Sequence, residues 1–83
     1  MKTHNQEMLE LLLNLLQAQA VSTNLAQADV QHCTDGVAKF LSNGDHGNHE
    51  LYVGFLEKAH RHSEFCVQEV ARTRAKIMEL CHD

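Results

Sequence analysis

The distribution of helix-breaking residues limits this chain to a few long helices. Its 83 residues contain no proline and four glycines, and two of these glycines fall within the segment Ser42-Asn43-Gly44-Asp45-His46-Gly47-Asn48. Proline and glycine interrupt helices, and Asn and Gly accept the backbone angles of turns. The sequence therefore predicts one clear loop at 43–48, and because this loop is short we expect the helices on either side to be antiparallel.

Apolar residues recur at helical spacing on both sides of the predicted loop. Before the loop, one stripe contains Leu9, Leu12, Leu16, Ala26, Val30, Cys33, Val37 and Phe40, and a second stripe beside it contains Leu11, Leu15 and Ala18. After the loop, one stripe contains Tyr52, Leu56, Ala59, Cys66, Val70, Ile77 and Leu80. The pattern predicts helices at 3–20, 24–42 and 49–81. The break between the first two is placed at Val21-Ser22-Thr23-Asn24, which contains residue types typical of helix N-caps but no Gly or Pro. The alternative is that the first helix runs straight on through these residues.

These helices indicate an all-α fold with a single domain at 1–83, either a small antiparallel helical bundle or a long helical hairpin. Aromatic residues make up 5% of the chain, which argues against a sheet. Two helices cannot cover both of the apolar stripes that lie side by side before the loop. We therefore expect a homodimer that completes the bundle.

The charge and the N-terminal sequence exclude several classes of protein. The net charge is −4, and the basic residues after position 57 alternate with glutamates, a pattern typical of a solvated helix face rather than a phosphate-binding surface. The apolar stretch from Met8 to Leu16 is too short to span a bilayer and lacks the features of a signal peptide. We expect a cytoplasmic protein of bacterial type, in which the three cysteines remain thiols or metal ligands.

Histidine and cysteine are the candidate metal ligands, with seven and three copies respectively. Folding the hairpin about position 46 places Cys33 opposite Ala59 and His60. Glu64 lies one helical turn after His60, so Cys33, His60 and Glu64 reach one level of the bundle and could bind zinc. His62 and Cys66 also stand four residues apart, on a different face. The alternative is that each cysteine is a small hydrophobic residue in the core.

The segments that carry these residues resemble the chemoreceptor zinc-binding (CZB) domains. The resemblance rests on Cys33-Thr34-Asp35-Gly36 and on the segment from Leu56 to Glu64, and it extends from His4 to about Val70. CZB domains are small helical bundles on bacterial chemoreceptors and diguanylate cyclases, in which three His and one Cys bind zinc. The resemblance implies zinc ligands at His4, Cys33 and His60, with Glu64 in place of the last histidine. It departs from the family pattern at 37–38, where Val and Ala replace a basic residue and Trp.

We therefore expect a small zinc-binding sensory or regulatory module that acts through a protein partner. The alternative hypothesis is a metal-free helical adaptor or anti-regulator that works by protein–protein interaction. A nucleic-acid-binding hairpin is a distant third hypothesis, because the chain is acidic. We do not expect an enzyme, since the chain lacks a nucleophile elbow, a glycine-rich phosphate loop and an H-E-x-x-H motif.

Overall fold

A computed structural model describes residues 1–82, which form a hairpin of two long helices. Helix α1 spans His4–Ser42 and helix α2 spans His46–His82, and the two pack against each other along their length. The hairpin extends 64 Å along its axis but only 17 Å and 13 Å across it. The expected all-α antiparallel hairpin is confirmed. Within residues 1–82, neither helix has a stretch that combines the length and the apolar character needed to cross a membrane.

Helix α1 begins with a capping box and continues through the predicted break at 21–24. The Thr3 side chain accepts a hydrogen bond from the backbone N–H of Gln6, and the Gln6 side chain accepts one from the N–H of Thr3. Thr23 donates its hydroxyl hydrogen bond to the Gln19 carbonyl, one turn earlier, at 2.8 Å. This is the bond that a threonine makes inside a helix, so Thr23 does not act as the N-cap of a new one. The predicted helices at 3–20 and 24–42 are therefore one continuous helix.

The connection between the helices is shorter than the sequence suggested. Gly44 adopts a φ of 70°, which ends α1 in the left-handed conformation that glycine accepts without strain. Asp45 then precedes α2, and its carboxylate accepts the Asn48 N–H at 3.2 Å. An aspartate in this position caps the helix, so α2 begins at His46 rather than at 49.

The two helices meet along a seam of residues that are buried or half-buried. In α1 these seam residues are Leu9, Leu12, Leu16, Gln19, Thr23, Ala26, Val30, Cys33, Val37 and Phe40. In α2 they are His49, Tyr52, Leu56, Ala59, Ser63, Cys66, Val70, Thr73, Ile77 and Leu80. Steps of three and four residues alternate throughout both sets, which is the heptad pattern of a coiled coil.

The core along this seam is thin. Its buried members are small: Ala26, Cys33, Ala59, Cys66 and Thr73. No large side chain among residues 1–82 is fully buried. The accessible surface is 6282 Å², whereas a compact monomer of this mass is expected to expose about 5,000 Å². The hairpin by itself therefore leaves more surface exposed than a typical folded protein.

Candidate functional site

The hairpin has two different sides, one on each side of the seam between its helices. Residues that immediately precede seam residues lie on the same side of both helices, and residues that follow them lie on the other. On the first side, one groove is lined by Asp29, His32, Cys33, Tyr52, Phe55, Lys58, Ala59 and His62. Next to it, a second groove is lined by Gln19, Ser22, His62, Phe65, Cys66 and Glu69. We call this side the Phe65 face, and the opposite side, which carries Glu64, the Glu64 face.

The structure divides the predicted zinc ligands between these two sides. Cys33 and Ala59 line the same groove, which agrees with the level of the hairpin at which the sequence placed them. That groove, however, opens on the Phe65 face. His60 and Glu64 immediately follow seam residues and lie on the Glu64 face, where His60 Nε2 is 3.2 Å from Glu64 Oε1. Both of these side chains are more than half exposed.

His4 lies even farther from the other predicted ligands. It is the first residue of α1, and because α1 is continuous, His4 is about 43 Å from Cys33 along the helix axis. Among residues 1–82, no group of three or more His, Cys, Asp or Glu side chains is arranged to hold a metal ion. Within one chain, the structure therefore does not bring His4, Cys33, His60 and Glu64 together, and the zinc site stays a prediction.

The environment of Cys33 is that of a neutral thiol. Burial, and then the negative charge of Asp29 one turn earlier, raise the pKa of the Cys33 thiol above its usual value. Cys33 therefore fits the alternative given by the sequence, in which it is a small hydrophobic residue of the core.

A second pair of candidate ligands, His62 and Cys66, lies on the Phe65 face. Cys66 Sγ is 3.7 Å from His62 Nε2, and the two residues are one helical turn apart. Cys66 is 7% exposed, whereas His62 is exposed and lines both grooves. The Oε1 atom of Gln19, which lines the groove of Cys66, is buried without a hydrogen-bond partner. The four-residue spacing of His62 and Cys66 is visible in the sequence, but their position beside an exposed apolar surface is not.

Comparisons of the chain with protein-family models, with curated proteins and with solved structures found no match. The resemblance to CZB domains stays a prediction.

Proposed function

We propose that this chain is a non-catalytic protein–protein interaction module that works as a homodimer. Two hairpins pair through their Phe65 faces and form a four-helix bundle. The observation that carries the proposal is the concentration of large, exposed apolar side chains on this face. They are Met8, Leu11, Leu15 and Leu25 on α1, and Leu51, Phe55 and Phe65 on α2.

The size of this face matches what a stable dimer requires. The outline of the hairpin is 64 Å by 17 Å, so pairing of two full faces covers about 1,000 Å² on each copy. That area exceeds the roughly 800 Å² per partner of a standard interface. It is also close to the excess of the hairpin's accessible surface over that of a compact monomer of the same mass. A second copy therefore supplies the covering that the hairpin lacks.

The Glu64 face is a poorer surface for pairing with a copy of itself. It also carries exposed apolar side chains, among them Leu13, Leu41 and Val67. However, Glu50, Glu57 and Glu64 follow one another at seven-residue intervals along it. A two-fold interface brings the same patch of both copies together, so these carboxylates would repel each other as they lost water. The Phe65 face is the one that we assign to the dimer.

The test is the molar mass of the untagged protein in zinc-free buffer, measured by sedimentation equilibrium over a range of concentrations. Wild type is expected at twice the chain mass of 9.4 kDa. Leu25→Lys places a charge on the Phe65 face and is expected to weaken the dimer at least tenfold, a change of about 1.4 kcal/mol. Val21→Lys is the matched control, because Val21 is similarly exposed on the same helix but lies outside the Phe65 face. A monomeric wild type, or equal weakening by both variants, would refute the proposal.

The zinc-sensing hypothesis based on His4, Cys33, His60 and Glu64 stays a prediction, and metal analysis tests it directly. One zinc per chain, lost in both Cys33→Ala and His60→Ala, would support it and would require the two sides of the hairpin to rearrange. Zinc that is retained in both variants would refute the zinc-sensing hypothesis. The dimer proposal requires neither result.

A further inference from the structure

We propose that His62 and Cys66 are half of a zinc site that is completed by the same two residues of a second copy. The site lies on the Phe65 face, so the inference rests on the dimer proposed above. A zinc site in this position strengthens the pairing of the two hairpins when zinc is bound. The ligand set is two imidazole nitrogens and two thiolates, which zinc binds tetrahedrally.

The geometry of the pair within one chain already suits zinc. With a Zn–S bond of about 2.3 Å and a Zn–N bond of about 2.05 Å, the two ligand atoms of a tetrahedral site stand about 3.5 Å apart. The observed distance between Cys66 Sγ and His62 Nε2 is 3.7 Å. Because both residues belong to the same long helix, one turn apart, the backbone holds this separation without a loop that must be ordered on binding.

One hairpin cannot complete the site, but a two-fold dimer can. No third suitably placed ligand exists within residues 1–82, so the pair is bidentate in the monomer. In a two-fold interface, residues near the axis meet their own copies. An axis that passes near His62 brings two such pairs together and provides four ligands.

The surroundings support an axis at this level of the hairpin. Phe65 lines the groove with His62 and Cys66, and its side chain is 56% exposed. The paired faces would thus place apolar side chains around the ion and limit the access of water to the thiolates. The Oε1 atom of Gln19 in the same groove is buried without a hydrogen-bond partner within the chain, so it is free to accept one from a second copy.

Binding has a definite proton balance. Each Cys66 thiol loses one proton when its sulfur binds zinc, so two protons are released for each ion bound per dimer, and each His62 binds as neutral imidazole. Affinity should therefore fall as the pH is lowered. Oxidation of Cys66 would remove two of the four ligands and abolish the response to zinc.

The test compares dimer dissociation constants of the untagged, reduced protein in chelator and in zinc. Zinc is expected to strengthen the dimer at least tenfold, with one ion for every two chains. Cobalt(II) in place of zinc should give the visible and charge-transfer bands of a tetrahedral thiolate site. Cys66→Ala and His62→Ala should each lose the zinc effect and these bands. His62 is exposed, so its variant stays informative even if the buried Cys66 variant folds poorly.

His60→Ala is the matched control, because His60 forms a pair of the same spacing with Glu64 on the opposite face. It should retain the full zinc response. A dimer that is equally strong in chelator and in zinc would overturn the metal site and leave the interaction module standing. A monomer in both conditions would overturn both proposals. Loss of zinc in His60→Ala with retention in His62→Ala would assign the metal to the Glu64 face instead.

Discussion

Gly36 is required by the packing of Tyr52, and its replacement by alanine provides the sharpest test of the seam. A Cβ atom built on Gly36 would lie 2.5 Å from Tyr52 Cε1 and closer still to Cδ1. The ring cannot easily move away, because its centroid is 5.1 Å from that of Phe40 and 5.5 Å from that of Phe55. Gly36→Ala must therefore push the helices apart or force Tyr52 out of its rotamer.

The expected magnitude follows from two opposing effects. Alanine is favoured over glycine within a helix by about 1 kcal/mol. Overpacking of a tight contact costs about 1–3 kcal/mol. Gly54→Ala is the matched control, because it lies within α2 and a Cβ there meets nothing within 4 Å. We expect Gly54→Ala to stabilise the protein, and Gly36→Ala to be less stable than Gly54→Ala by about 1–3 kcal/mol, at least ~4 °C in Tm.

Urea unfolding followed by far-UV circular dichroism, at one chain concentration and without zinc, measures both variants. The same substitution in a Tyr52→Ala background completes a double-mutant cycle. With the ring removed, Gly36→Ala should stabilise the chain as Gly54→Ala does. If Gly36→Ala alone already stabilises the chain as much as Gly54→Ala, the close contact is absent and the register of the seam is wrong.

Three further predictions concern the helix cap, the buried thiol and the exposed pair. Thr3→Ala removes the capping box and should cost about 1 kcal/mol, with faster hydrogen exchange confined to the first turns of α1. Burial and Asp29 raise the pKa of Cys33 above its usual 9.0. The folded protein therefore favours the protonated thiol, and the stability that this thiol contributes is complete below pH 9.0 and is lost as the pH rises through the raised pKa. The stability difference between wild type and Cys33→Ala should therefore narrow in alkaline urea titrations, and a constant difference would contradict this. His60→Ala and Glu64→Ala should each change the free energy of unfolding by less than about 0.5 kcal/mol, because both groups are largely in water.

The seam was predictable from sequence, because its pattern is local. Alternating three- and four-residue steps between Ala26 and Phe40 identify one helix face before any partner helix is known. The sequence left open whether the helix breaks at 21–24, because residues such as Thr23 form N-caps or helix interiors equally well by local chemistry, and the structure has one continuous helix there. Local sequence does not decide between them. In the structure the preceding turn continues, and the Thr23 hydroxyl then donates to the Gln19 carbonyl.

The second apolar stripe, with Leu11 and Leu15, required the structure for its interpretation. The sequence placed it beside the seam, and the structure leaves it exposed.

The ligand pairs pose the same difficulty. The sequence shows that His60 and Glu64 share one helix face and that His62 and Cys66 share another. Two positions along a helix amount to about 200° of rotation, so only the packed position of α2 shows which pair lies on the same side as Cys33.

Gln19 offers a last test of the seam, because it is a polar residue at a position where a coiled coil favours an apolar one. Its Oε1 atom is buried without a partner, and such an atom costs about 1–3 kcal/mol. Methionine has a similar length and no acceptor to satisfy, so Gln19→Met should stabilise the hairpin by about 1 kcal/mol or more in zinc-free urea unfolding.

Gln27→Met is the control, because Gln27 is exposed on the same helix, and it should change stability by no more than about 0.5 kcal/mol. The concentration dependence adds a further criterion. If a second copy supplies a donor to Oε1, the stability gained by Gln19→Met should shrink as the chain concentration rises, because a larger fraction of the chains is then dimeric. A loss of stability at every concentration would mean that the Gln19 amide is already satisfied within the chain, and that the groove beside Cys66 is more closed than the packing of the two helices indicates.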